Sequence, residues 1–203
     1  MPAIMARFVT KLNSGSPPVN EGVTPNSGGG ASQTFGFQFS DASGVTDLTT
    51  VSALFNSAPS AAAGCAVVYD RVKNTLSLLT DAGGPSAGSI TPGSGTQENS
   101  QCVLNGAGSS VSAAATVLTL NLAISFRPPM AGATSIYMQA ANLSASTGWE
   151  LRGNWTVPAM IVSPPNGSWL PGASVVFQWT GIGNFSGCSL SVSGIGGGGY
   201  GYL

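Results

Sequence analysis

The chain has 203 residues, of which only 6% are charged, with no histidine and a formal net charge of −1. That balance leaves no basic field to attract nucleic acid or an anionic membrane, and no window approaches the ~20 uninterrupted apolar residues of a spanning helix. The length suits one or two domains with enough chain to bury a core, and 29 glycines among abundant Ser, Thr and Ala point to many short strands joined by tight turns.

Residues 1–30 read as a flexible leader or linker. Ser14–Pro18 and Gly22–Gly30 are rich in Ser, Pro, Asn and Gly and offer little to bury. The first residues, M-P-A-I-M-A-R-F-V-T-K-L-N-S-G, hold no apolar run long enough for a signal peptide. The expectation is a longer exported chain whose true start lies upstream.

A β-sandwich domain is expected over residues 31–157. Its first strand is Thr34–Ser40, where Phe35, Phe37 and Phe39 alternate with Gly36 and Gln38. Asp41, Ser43, Gly44 and Asp47 supply turn chemistry, and a strand follows over Leu48–Phe55. Cys65–Tyr69 and Thr75–Leu79 flank D-R-V-K-N and read as a β-hairpin. Asp81–Gln97 reads as a long loop with a short β-like piece at Ile90. Asn99–Leu104 carries Cys102, and Gly106–Ser110 reads as a turn.

Thr116–Phe126 is the strand around which the domain is organised. Leu118, Leu120, Leu122, Ile124 and Phe126 occupy alternate positions, separated by Thr119, Asn121, Ala123 and Ser125. Successive side chains of an extended strand point to opposite faces, so five large apolar groups share one face and need a second layer to cover them. Pro128 and Pro129 end the strand, because proline cannot donate to a ladder. Ser135–Ala141 follows, with Ile136 and Met138 facing one way and Tyr137 and Gln139 the other, and Trp149–Val157 closes the domain. Around eight short strands without a helix pattern predict an all-β antiparallel sandwich, immunoglobulin-like or jelly-roll-like. A single closed barrel is the lesser alternative.

Residues 158–203 read as an incomplete immunoglobulin-like β unit, truncated or docked on the first domain. Val175, Phe177 and Trp179 alternate, as do Leu190 and Val192, but two or three strands cannot bury both faces of a sandwich.

Cys65 and Cys102 are candidates for a disulfide closing a loop of about 38 residues, worth roughly 3–4 kcal/mol in the chain-entropy model. This pairing is conditional on export; the alternative is two buried thiols acting as small hydrophobes. Cys188 is the odd one out.

Chemistry is sparse. Gly84–Gly88 (G-P-S-A-G) matches a nucleophile elbow, but that motif needs a histidine base and a following helix. The carboxylates Glu21, Asp41, Asp47, Asp70, Asp81, Glu98 and Glu150 sit mostly in turn contexts, where Asp bonds nearby backbone. A glycosidase would need two of them facing each other across a sugar. Asp41 and Asp47 are weak calcium candidates, lacking the acidic density of a strong calcium loop, and no other metal and no cofactor are expected. Trp155 and Trp179 belong to packing, whereas Trp149, beside a Ser- and Gly-rich turn, and Tyr137, opposite Ile136 and Met138, are the candidate ligand contacts.

Three segments carry a resemblance: Gln33–Leu48 (Q-T-F-G-F-Q-F-S-D-A-S-G-V-T-D-L), Tyr69–Gly83 (Y-D-R-V-K-N-T-L-S-L-L-T-D-A-G) and Ser146–Val157 (S-T-G-W-E-L-R-G-N-W-T-V). They resemble the β-sandwich repeats of large secreted or cell-surface proteins of soil bacteria, particularly acidobacteria. The segment S-P-P-N-G-S-W-L-P-G-A-S-V-V-F-Q-W-T after them is similar to the start of an immunoglobulin-like module. The resemblance spans roughly three quarters of the chain and brings no catalytic residues with it. It implies a non-catalytic extracellular structural or adhesive module of a larger protein, with surface proteins or extracellular polysaccharide as partners and neither nucleic acid nor membrane insertion. A carbohydrate-binding module is the second reading, and a glycan-active enzyme a distant third.

Overall fold

Alternating apolar residues fold into two facing sheets. The structure is a computed structural model and describes residues 15–159. Eleven strands run in chain order: β1 (Val19–Thr24), β2 (Ser27–Gly29), β3 (Ser32–Ser40), β4 (Leu48–Asn56), β5 (Cys65–Asp70), β6 (Thr75–Leu78), β7 (Thr96–Glu98), β8 (Cys102–Ala114), β9 (Val117–Phe126), β10 (Gly132–Asn142) and β11 (Glu150–Val157). One sheet has the order β1-β3-β9-β8-β7 and the other β2-β11-β10-β4-β5-β6. Every pairing is antiparallel except β2 with β11. The sheets are open, so the fold is a β-sandwich and not a closed barrel. Among the described residues no helix is long and apolar enough to cross a membrane.

The central strand β9 behaves as its alternation dictates. Leu118, Leu120, Leu122, Ile124 and Phe126 are buried, while Thr119, Asn121, Ala123 and Ser125 are not. Facing them from neighbouring β3 are Phe35, Phe37 and Phe39, all fully buried. The second sheet contributes Val51, Ala53, Phe55, Val67, Ile136, Met138 and Trp155 to the same core. Phe35 stands at the centre of the aromatic packing, with ring centroids 4.7 Å from Phe55 and 5.0 Å from Trp155. These edge and tilted contacts each add about 0.5–1.5 kcal/mol beyond area burial.

Cys65 on β5 and Cys102 at the start of β8 form a disulfide with a Cα–Cα distance of 5.7 Å. Their strands belong to opposite sheets, so the bond crosses the core and staples the layers together.

Three features depart from the expectations, and one expectation falls outside the described residues. The sandwich begins within the anticipated leader: β1 and β2 lie inside residues 1–30, and the chain crosses from one sheet to the other between them. Asn20 explains the capture of β1, since its buried amide donates to the Met138 carbonyl on the facing sheet (3.2 Å) and to the Thr147 hydroxyl in the turn after β10 (3.0 Å). Residues 106–110 do not terminate a strand; β8 runs through them with a bulge between Asn105 and Ser110. The buried Ser109 hydroxyl bridges that bulge, donating to the Asn105 carbonyl and accepting from the Ala123 N–H. Thr96 and Gln97, at the end of the segment expected to be loop, form the edge strand β7 with Glu98, while Ile90 makes the isolated bridge to Leu76 that its β-like character suggested. The second β unit of residues 158–203, with Trp169, Trp179 and Cys188, lies outside the described residues apart from its first two positions.

Candidate functional site

The pleat decides which residues of the second sheet can meet a partner. Ile136, Met138 and Ala140 of β10 point into the core, which turns Ser135, Tyr137 and Gln139 outward. Tyr137 pairs with Leu151 of β11 on one side and Leu54 of β4 on the other, and Leu54 pairs with Ala66 of β5. Paired residues share a face, so Leu151, Tyr137, Leu54 and Ala66 form an apolar row across the outside of the sheet. Leu54 and Ala66 are nevertheless fully buried. Leu54 lies under Gly64, where even a Cβ would come within 2.9 Å of it. The exposed end of the row is thus Tyr137, half-buried, and Leu151, 56% exposed.

Trp149 immediately precedes β11, two positions before Leu151, and is half-buried. It follows a turn held by Thr147, whose hydroxyl accepts from the Ala140 N–H, and by Ser146, whose hydroxyl accepts from Gln139. Arg152 and Glu150 form an ion pair beside it. The close ring pairs of the described residues all involve Phe35, Phe37, Phe55, Phe126 and Trp155 in the core. Tyr137 and Trp149 form no stacked pair with each other. Trp155 packs in the core, its indole N–H donating to the Gly30 carbonyl at 2.9 Å.

Asp41 and Asp47 do come together, on Asn142. The Asn142 amide nitrogen donates to Asp41 Oδ2 at 2.8 Å and to the Ser16 carbonyl at 2.8 Å, with Asp47 Oδ2 at 3.3 Å. Asp41 is wholly buried, and its other oxygen accepts the Ser43 N–H at 2.8 Å. Three acceptor oxygens thus converge on one point, and the amide nitrogen fills it. A calcium ion wants six to eight oxygens around an open centre; here that centre holds a side chain. Among the described residues no three His, Cys, Asp or Glu side chains gather at metal-binding distance. Asn142 also matches N-x-S/T, yet its amide is committed to this cluster.

Each of the remaining carboxylates has a structural partner. Glu21 accepts from the Ser40 hydroxyl, Asp81 from the Ser100 N–H, and Glu98 pairs with Arg127. Asp70 accepts from the Lys73 side chain at 2.7 Å and from its N–H, and these bonds hold its carboxyl below the usual value. Ser86 of G-P-S-A-G donates to the Gly88 carbonyl within an irregular loop, with no helix following it. The motif lacks the strand–turn–helix context that activates a serine.

A shallow hollow of about 230 Å³ lies elsewhere, lined by Asn74, Pro92, Gly93, Ser109, Ser110 and Val111. The sequence does not announce it, because its walls come from three separate segments that no local pattern links. No protein-family model, curated protein or solved structure matches this chain.

Proposed function

We propose that the chain is a non-catalytic structural or adhesive β-sandwich module of a larger exported protein, of the kind its sequence resembles in soil bacteria. The observation that carries this reading is the Cys65–Cys102 bond between the two sheets. Structural disulfides persist in oxidising compartments and are rare in the cytosol, which suits a secreted or cell-surface site. The pairing of each carboxylate with a turn amide, hydroxyl or cation supports a scaffold, since those groups are spent on holding the fold.

Carbohydrate binding is the second reading, favoured by Tyr137 and Leu151 side by side on an outer face that also carries Gln139. Among the described residues no exposed aromatic pair is stacked, which weighs against it.

The deciding experiment is binding of the full chain to a panel of soluble and insoluble polysaccharides, alongside Trp149→Ala and Tyr137→Ala. The structural reading expects no saturable binding. Saturable binding abolished by either substitution would replace it with the glycan-binding reading.

A further inference from the structure

Sheet edges offer unpaired backbone donors and acceptors, and proteins blunt them with charge, bulges, brevity or cover. Four of the edges here are blunted. β1 carries Glu21 and a bulge between Asn20 and Gly22. β2 and β7 are three residues long. β6 is bridged by Ile90 at Leu76, and its Leu78 N–H donates to the Gln97 side chain.

The distal half of β8 has none of these devices. β7 pairs only with Val103–Asn105, and Gly93 takes up the Gly106 and Ser109 carbonyls. Beyond Ser109, residues 110–114 (S-V-S-A-A) pair with β9 on one side and with no strand on the other among the described residues. The turn at Ala115–Thr116 closes on the Ala114–Val117 pair. Hydrogen-bonded and non-hydrogen-bonded pairs alternate along an antiparallel ladder, which turns the N–H and C=O of Val111 and Ala113 outward. The segment holds no charge and no proline.

From this we infer that a second copy of the chain pairs with this edge, β8 against β8 antiparallel, about a two-fold axis through Ser112. Val111 of each copy then lies opposite Ala113 of the other, and about four backbone hydrogen bonds join them. The hollow beside the edge leaves room for this occupant. In this register the tip Ala115–Thr116 of one copy falls beyond Ser110 of the other, where Ser109, Ser110, Gly93, Pro92 and Asn74 leave about 230 Å³. Two small uncharged residues suit that space, and the neutral segment presents no like charge to its own copy. The pairing goes beyond the module reading and does not depend on it.

Sedimentation of the full chain from micromolar to several hundred micromolar tests it. The wild type dimerises; Ser112→Lys, which sets two like charges on the axis, and Ala113→Pro, which removes an outward N–H without touching the β8–β9 ladder, each raise Kd at least about tenfold. Unchanged circular dichroism and thermal midpoint show that both variants fold. In a Cys188→Ser background, Ser112→Cys forms a covalent dimer on mild oxidation, and Thr119→Cys on β9 does not. A wild type that stays monomeric overturns the proposal, including one whose Val111 and Ala113 amides resist exchange because the same chain covers them. A dimer indifferent to both substitutions, or one that Ser112→Cys fails to cross-link, overturns it equally.

Discussion

Asn142 joins distant parts of the chain. Its nitrogen serves Ser16, Asp41 and Asp47, and its oxygen accepts the Ser144 and Ala145 N–H groups. Replacing it with Ala strands a buried carboxylate and the turn amides, and we expect a loss of about 3 kcal/mol in urea unfolding. Asn142→Asp should lose more, because a third carboxylate then faces the first two. Unfolding free energies within about 0.5 kcal/mol of wild type for both would show that the cluster holds nothing. Tyr69 supplies a pH signature. Its buried hydroxyl donates to Asn74 at 2.9 Å, and desolvation raises its pKa above the ordinary 10.0. A folded-state pKa above the unfolded one contributes stability that is complete below pH 10 and lost as pH rises through the raised value. The urea midpoint of the wild type should therefore fall more steeply above pH 10 than that of Tyr69→Phe.

At the scale of the strand, side-chain volume decides what can be read from sequence. The phenylalanines of β3 and the leucines of β9 announce their strands because each places a large apolar group at every second position. Truncating one at the centre, Leu120→Ala, should cost about 2–5 kcal/mol in chemical denaturation. β2 is S-G-G and β7 is T-Q-E; neither has an apolar residue to alternate, so neither was legible. β2 exists because the backbone beside it is bare. A Cβ on Gly153 would stand 2.3 Å from the Asn26 carbonyl, which accepts the Asn154 N–H at 2.9 Å. Gly153→Ala should push this segment off β11, seen as faster amide exchange across residues 26–30 with a global loss of about 1–3 kcal/mol. The Asp41 cluster was half legible for the same kind of reason. Its turn to Ser43 is local and follows from residue type, whereas Asn142 lies 101 positions away and meets it only through the register of β10 on β4.

For the whole molecule, the disulfide sets a baseline that both sheets share. Replacing Cys65 and Cys102 together with Ala should lower stability by about 2–4 kcal/mol, read as a lower urea midpoint with a steeper slope, because the unlinked unfolded chain exposes more surface. The direction of the chain through the sandwich has a mechanical consequence. Ser16 is held at the Asn142 end of β10, and β11 leaves at the opposite end, where Val157 pairs with Gly132. Eleven residues of strand separate those ends by about 35 Å. A pull between residues 16 and 157 therefore acts along the strands, loading β1 against β3 and β11 against β10 in shear. Many ladder hydrogen bonds then resist together, where a peeling geometry would break them one at a time.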